Sequence, residues 1–272
     1  MNAPLPLDAV VRGSGRPILL LHGFAASRFT YRFWADDLAT THELHLIDLF
    51  GCGCAPFPAD GRYGPREQGE AVLRYIRERD LRGVTLIGHS LGGGIALFVA
   101  LRLQELGESD RLAAIVSVAG AAYAQALPRF IGLVRLPWIG RGLLRGIGPD
   151  RVVPLVLRSV IYDQSTITPE QIEGYVAPLR EWRRRRAVVE TARQIVPEGI
   201  DDLERRWRTI QAPTLLLWGR HDYVVPLWVG ERLARELPHA ELVVFERCGH
   251  IPPEECAVES LAHVRRLLLR IA

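Results

Sequence analysis

Short apolar runs alternate with longer amphipathic segments through most of the chain. The runs that predict buried strands are Ile18 to Leu21, Leu44 to Ile47, Val84 to Ile87, Ala113 to Val118, Thr214 to Trp218 and Leu242 to Phe245. The segments that predict helices between strands include Glu67 to Arg79, Leu91 to Leu106, Val229 to Leu237 and Glu254 to Leu269. Continuous apolar strands joined by helices indicate a mostly parallel sheet covered on both faces. The pattern therefore predicts an α/β fold.

The alternation stops between residues 121 and 208. This stretch has no clear strand pattern, and it combines several prolines with short amphipathic pieces. We expect residues 1–120 and 209–272 to form a core domain and residues 121–208 to form a helical cap, inserted after the strand near residues 113–118. Ligands of open α/β sheets bind beyond the carboxyl ends of the strands, so an insertion there is placed to cover a site.

The predicted cap is rich in large aromatic side chains. We expect some of them to face the site and to favour an apolar substrate, and the others to fill the interior of the cap itself. These residues are Tyr123, Phe130, Trp138, Tyr162, Tyr175 and Trp182.

Composition and charge narrow the class of protein. The 272 residues are 48% hydrophobic and 24% charged, which is typical of a soluble globular domain. A formal net charge of +3 is too small to indicate a basic surface that binds nucleic acid. The sequence has no signal-peptide pattern and no apolar stretch of membrane-spanning length, so we expect a cytoplasmic protein without a membrane span. Oligomeric state is not readable from these features.

One segment combines a strand pattern, a sharp turn and a helix pattern. An apolar run precedes Gly88-His89-Ser90-Leu91-Gly92, and a helix-like segment follows it. A serine hydroxyl attacks a carbonyl only if it stands clear of its own backbone, and a strand-to-helix turn presents it that way. The turn is crowded, so it needs small residues two positions before and after the serine, where this chain has Gly88 and Gly92. We predict that Ser90 is a nucleophile.

A nucleophilic serine needs a base to accept its proton and a carboxylate to orient that base. Asp222 follows the strand that ends at Trp218, and His250 follows the strand that ends at Phe245. Both positions lie beyond the carboxyl end of a strand, at the same edge of the sheet as Ser90. We predict that His250 is the base and that Asp222 is the orienting acid.

The turn at His22-Gly23-Phe24 ends the first long apolar run. A tetrahedral intermediate carries negative charge on oxygen, and two backbone N–H groups must point at that oxygen. We assign these two groups to Phe24 and Leu91. The N–H of Leu91 also benefits from the positive end of the helix that begins at the Ser90 turn.

Five motifs in this order resemble those of the α/β-hydrolase superfamily, in its capped serine-hydrolase branch. They are His22-Gly23-Phe24, Asp48-Leu49-Phe50-Gly51-Cys52-Gly53, Gly88-His89-Ser90-Leu91-Gly92-Gly93, Gly219-Arg220-His221-Asp222 and Cys248-Gly249-His250-Ile251-Pro252. The resemblance covers nearly the whole chain and implies a serine esterase that acts on a small or medium apolar ester. It implies no cofactor and no metal.

The same superfamily leaves two alternatives open. One is a carbon–carbon bond hydrolase of ring-cleavage products; such enzymes typically have Asn before the nucleophile and Trp after the histidine, where this chain has His89 and Ile251. The other is a receptor that retains the triad and uses the pocket only for binding. The resemblance also leaves the acyl and alcohol groups of the substrate undefined.

This chain departs from the family pattern in three places. Only one strand, around Leu7 to Val11, precedes Ile18, where the family often has two. Phe50, Cys52 and Cys54 replace the usual Pro, His and Ser, and we expect them near the pocket floor, with the cysteines as free thiols rather than as zinc ligands. The basic run Arg183 to Arg186 spans all sides of a helix, so most of its charges must be solvated, although a clamp for an acidic substrate would need only one of them to turn inward.

Overall fold

The computed structural model describes residues 7–136, 138, 142, 146 and 148–271, and a seven-stranded sheet forms its centre. The strands are β1 Asp8–Arg12, β2 Arg16–Leu21, β3 His42–Asp48, β4 Val84–His89, β5 Leu112–Val118, β6 Thr214–Gly219 and β7 Ala240–Phe245. Their order is β1-β3-β2-β4-β5-β6-β7; β1 runs antiparallel to β3, and every other neighbouring pair is parallel. The predicted α/β fold is confirmed.

Helices cover both faces of the sheet. They are α1 Arg32–Leu38, α2 Pro65–Glu78, α3 Leu91–Glu105, α4 Arg129–Arg135, α5 Pro149–Val160, α6 Pro169–Leu179, α7 Trp182–Gln194, α8 Ile200–Arg206, α9 Leu227–Glu236, α10 Pro252–Glu255 and α11 Ala257–Arg270. Successive residues of β2 enter two different core clusters: Leu19 lies with α2, α3 and α9, whereas Leu20 lies with α1 and α11. This two-sided burial explains why the strands are apolar without alternation.

The described residues between β5 and β6 form helices α4 to α8 and contain no strand, as the sequence pattern predicts. The predicted helix from Glu254 to Leu269 is instead divided into α10 and α11. The division falls at Cys256, whose φ of −136° and ψ of 49° are not helical. The chain also forms α1, which the sequence analysis did not identify.

The topology brings the predicted site residues to one edge of the sheet. Phe24 follows β2, Ser90 follows β4, Asp222 follows β6 and His250 follows β7, and these four strands are parallel. In the described part of the chain, β1 is the one strand that precedes β2, and it lies at the edge of the sheet. None of the described helices has both the length and the apolar character that crossing a membrane requires.

Candidate active site

Ser90 occupies a strained turn between β4 and α3. Its φ of 54° lies in the left-handed region that few residues other than glycine adopt. The backbone N–H of Ser90 donates to the Val118 carbonyl at 2.8 Å, which ties the turn to the end of β5. A Cβ on Gly88 would lie 2.1 Å from the Gly92 carbonyl oxygen, and a Cβ on Gly92 would lie 2.2 Å from that of Leu21. Both glycines are therefore required by close backbone approach, as the sequence analysis argued.

Asp222 and His250 form a buried pair. Asp222 Oδ2 accepts a hydrogen bond from His250 Nδ1 at 2.8 Å, and both residues are buried. The other carboxylate oxygen accepts from the backbone N–H groups of Val224 and Val225, at 2.8 and 2.9 Å. Because an ionised carboxylate only accepts hydrogen bonds, the ring proton of neutral His250 lies on Nδ1. Nε2 is therefore the nitrogen available to accept a proton.

The loops that carry Asp222 and His250 lie against each other. A Cβ on Gly219 would lie only 2.0 Å from the Gly249 carbonyl oxygen, so the two backbones are in direct contact. The His250 N–H donates to the Val160 carbonyl at 2.8 Å. That carbonyl ends α5, where intrahelical partners are missing, so the bond also satisfies the helix terminus.

The carboxylate of Glu255 accepts hydrogen bonds from the backbone of the His250 loop. One of its carboxylate oxygens accepts from the N–H of Ile251 at 2.8 Å, and the other accepts from Gly249 at 2.8 Å and Tyr162 at 2.7 Å. Two of these donors flank His250 directly in sequence, and the third belongs to the insertion. The sequence analysis missed this residue because its only local signal is an acidic side chain shortly after the histidine.

Ser90, His250, Phe24 and Leu91 all line one cavity of about 240 Å³, which lies between the sheet edge and the insertion. The structure thus brings the predicted nucleophile, base and both N–H donors together, while Asp222 lies behind His250. Within the described part of the chain, Ser90 Oγ makes no hydrogen bond to the His250 ring, and neither Phe24 N–H nor Leu91 N–H has an acceptor. In enzymes that use a serine and a histidine in this way, the hydrogen bonds between the reacting groups are often long or poorly aligned until a substrate binds.

Two further buried histidines, His22 and His89, connect the loops of the site through hydrogen bonds to the backbone. Neither is placed as a base. His22 Nδ1 donates to the Gly23 carbonyl at 2.8 Å, while Nε2 accepts from the Leu49 N–H at 3.0 Å, so it ties the Phe24 loop to the end of β3. His89 Nε2 donates to the His250 carbonyl at 2.8 Å. Burial, and then the nearby His250, lower the pKa of His89 to about 3. Burial likewise lowers the pKa of His22, so both imidazole rings are uncharged.

Half of the aromatic residues predicted for the cap line the cavity. Tyr123, Phe130 and Tyr175 do so, and the two tyrosine hydroxyls donate to carboxylates of Glu236 and Glu254, at 2.9 and 2.5 Å. Those hydroxyls are already engaged, so the rings present mainly apolar surface to a ligand. The other three side chains do not line the cavity and are exposed: Trp138, Tyr162 and Trp182.

The alternative of an inward-turned arginine in the basic run has no support in the structure. None of Arg183 to Arg186 lines the cavity. Arg184 instead donates to the carbonyls of Cys52 and Ala55, at 3.2 and 3.0 Å, and so joins α7 to the loop after β3. A dense basic run is usually a solvated or bridging surface, and this one follows that rule.

Phe50, Cys52 and Cys54 also lie away from the cavity. All four cysteines are free, and burial raises the pKa of the Cys52 thiol to about 12, which leaves it unreactive. Cys54 Sγ lies within 4.8 Å of carboxylate oxygens of Asp8 and Asp48. The guanidinium of Arg28 forms ion pairs with both carboxylates, at 2.6 and 3.1 Å. The positive charge that balances them therefore comes from this arginine, and no metal ion is needed for that purpose.

Known proteins resemble this chain over most of its length. The model of the alpha/beta hydrolase family matches residues 18–264. The uncharacterized hydrolase YugF of Bacillus subtilis is 29% identical over 89% of this chain and 86% of its own length. A 2-hydroxymuconate semialdehyde hydrolase of Pseudomonas putida is 28% identical over 88% of this chain and 82% of its own. A thermophilic esterase from Thermogutta terrifontis is 23% identical with a TM-score of 0.79, covering 97% of this chain and 93% of that one. The chain belongs to the alpha/beta hydrolase family.

Proposed function

We propose that the protein is a serine hydrolase that cleaves a small or medium apolar carboxylic ester through an acyl-enzyme. The observation that carries the proposal is the buried Asp222–His250 pair, joined at 2.8 Å, whose imidazole shares a cavity with the strained Ser90. A nucleophile, a base with a fixed tautomer and an orienting carboxylate are the groups that acyl transfer needs.

In the first half-reaction, Ser90 Oγ bonds to the ester carbonyl carbon while His250 Nε2 takes the hydroxyl proton. Asp222 stabilises the resulting imidazolium and stays ionised. The negative charge that forms on the carbonyl oxygen is held by the N–H groups of Phe24 and Leu91, which have no other acceptor in the described part of the chain. When the carbon–oxygen bond to the alcohol breaks, His250 gives the alcohol its proton.

In the second half-reaction, water replaces the alcohol. His250 Nε2 removes one proton from the water as its oxygen bonds to the acyl carbon, and the same N–H groups hold the oxyanion. Collapse of this intermediate breaks the bond to Ser90, which recovers its proton from His250. One ester and one water yield one acid and one alcohol, with no cofactor or metal required.

The lining of the cavity supports an apolar substrate. Most of the lining side chains are aliphatic or aromatic, and Ile251 presents an aliphatic group directly beside His250. Helices α4 to α8 supply one wall of this cavity, which supports a cap role for residues 121–208 over a core of residues 1–120 and 209–272.

Carbon–carbon hydrolysis is the second candidate, because a relative 28% identical to this chain is a 2-hydroxymuconate semialdehyde hydrolase. That reaction must move a proton within a conjugated substrate before the bond breaks. The Ile251 side chain can neither donate a hydrogen bond nor stack on such a substrate, and His89 already donates its ring N–H to the His250 carbonyl. These contacts favour ester hydrolysis.

Labelling and turnover together test the proposal. We expect a fluorophosphonate probe to label Ser90 in the wild-type protein and not in Ser90→Ala. A panel of aryl esters of graded acyl length should be hydrolysed with kcat/KM at least about tenfold above that for a ring-cleavage dienoate. The reverse ranking would make the protein a carbon–carbon hydrolase. Labelling of Ser90 without turnover of any ester, thioester or dienoate would make it a binding protein.

A further inference from the structure

One arginine stands apart in the wall of the cavity. Arg66, in the first turn of α2, is the only permanently charged side chain among the described residues that line it. Its Nε is shielded from solvent and has no hydrogen-bond partner, and no described carboxylate forms an ion pair with its guanidinium. Arg66 as a whole is partly buried, and a polar atom shielded from solvent is costly unless it is hydrogen-bonded. The neighbouring arginine Arg62, by contrast, is exposed and pairs with Glu67 at 3.0 Å.

The cavity extends along one face of α3, away from Ser90. Leu91, Gly94 and Phe98 line it and are spaced three and four residues apart, so they share that face. Seven residues of α-helix rise about 10 Å, which sets the length of cavity that α3 borders. The Ser90 end holds the candidate reacting groups, and Phe98 lines the cavity about two turns farther along α3.

Arg66 lies one turn of α2 before the contact of that helix with Phe98. A Cβ on Gly69 would lie 2.3 Å from the Phe98 ring, so α2 contacts that ring at Gly69. Arg66 precedes Gly69 by three residues and therefore lies on the same face of α2, one turn away. The guanidinium reaches the insertion, since a Cβ on Gly199 would lie 3.3 Å from Arg66 Nη2.

We propose that Arg66 binds a carboxylate at the far end of the substrate, so that the preferred ester has an apolar acyl chain ending in a carboxylate. This inference rests on the proposed ester hydrolysis and refines its substrate class. Guanidinium and carboxylate match in shape and form charge-assisted hydrogen bonds. The acyl carbon is the atom bonded to Ser90, so a chain lying along α3 extends from it toward Arg66. At about 1.2 Å per bond along an extended chain, the roughly 10 Å from Leu91 to Phe98 corresponds to about eight bonds, which is an upper limit because Arg66 precedes the Phe98 contact by one turn.

Matched substrates test the inference. Monomethyl esters of linear dicarboxylic acids with about four to ten carbons are compared with the corresponding ω-carboxamide methyl esters, which have the same length without the charge. In the wild-type protein we expect kcat/KM to favour the carboxylate ester, with the largest preference at no more than about nine carbons. Arg66→Gln should reduce this carboxylate-to-carboxamide ratio by about 10- to 100-fold, and Arg66→Lys should retain part of it. Arg62→Gln, an exposed arginine that does not line the cavity, should leave the ratio unchanged.

Binding without turnover separates this inference from the proposed function. In Ser90→Ala, calorimetry should give tighter binding of the carboxylate ester than of the carboxamide ester, and Arg66→Gln in that background should abolish the difference. If the wild-type protein hydrolyses both esters with equal kcat/KM at every length, the role of Arg66 is refuted while ester hydrolysis stands. If no ester is hydrolysed but the Arg66-dependent binding difference remains, ester hydrolysis is refuted while the carboxylate site stands. Equal binding in Ser90→Ala at every length would also refute the site.

Discussion

Replacing Glu255 with glutamine tests whether the His250 loop is held by this one carboxylate. The substitution keeps the shape of the side chain but leaves one acceptor oxygen where there were two. If the amide oxygen keeps the bonds from Gly249 and Tyr162, the amide NH₂ must face the N–H of Ile251, and donor meets donor.

The cost follows from these contacts. Losing one charge-assisted bond costs about 1.5 kcal/mol, the lower end of the usual range, because Glu255 is only partly buried. Each of the two remaining bonds becomes neutral and weakens by about 0.5 to 1 kcal/mol. The sum is about 3 kcal/mol, which for a domain of this size lowers the Tm by roughly 6–10 °C.

Activity distinguishes positioning from a purely structural role. His250 lies between two of the donors that Glu255 holds, so its Nε2 should lose its alignment with Ser90. Misplacement of a reacting group by about 1 Å costs on the order of 100-fold in rate. For Glu255→Gln we expect kcat on an aryl ester to fall by about 10- to 100-fold with KM changed less than about threefold. Glu259→Gln, an exposed residue of α11, is the matched control and should match the wild type in Tm and kcat.

A wild-type kcat in folded Glu255→Gln would refute this account, because it would mean that the bonds to Gly249, Ile251 and Tyr162 do not position His250. A lower Tm with an unchanged kcat would limit Glu255 to a structural role.

Three further outcomes follow from the site. Ser90→Ala and His250→Ala should each lower kcat by on the order of 10⁴ to 10⁶, and the double variant should be little worse, because the groups act as a unit; multiplicative losses in steady-state kinetics would contradict the triad. Cys52→Ser with Cys54→Ser should retain activity, since neither thiol lines the cavity; inactivation of the folded double variant would point to a thiol or metal mechanism. His89 stays neutral in the fold down to about pH 3 but protonates near pH 6.5 when unfolded, so its contribution to stability is lost as the pH falls through that window. Urea unfolding at about pH 7.5 and pH 5 should give a loss about 2 kcal/mol larger for the wild type than for His89→Asn, and equal losses would contradict the neutral ring.

The sheet and the turn at Ser90 are predictable because their causes are local. Strands buried on both faces must be apolar at every position, and the close approach at Gly88 and Gly92 permits only glycine. Helix α1 was not identified because its seven residues are too few to establish a helical period. The break at Cys256 depends on backbone angles that no residue type in that segment dictates.

Arg66 and Glu255 were missed for a different reason. Charge density drew attention to Arg183 to Arg186, but density in sequence says nothing about pairing in space. Arg66 is notable because no described carboxylate pairs with it. Glu255 is notable because it accepts from the backbone N–H groups of two segments that are far apart from each other in the chain, one around His250 and one at Tyr162. Both properties exist only after the chain has folded.

The contacts of α5 link substrate recognition to the proposed base. The last carbonyl of α5 accepts from the His250 N–H, and the N–H of Tyr162, just beyond that helix, donates to Glu255. The same helix supplies Val153 and Leu157 to the cavity wall. A ligand that displaces α5 would therefore stretch the bonds that hold His250, at a cost of about 1 kcal/mol or more for each bond broken. Substrates that fit the wall without moving α5 keep His250 in place, so the shape of the cavity bears on the chemical step as well as on binding.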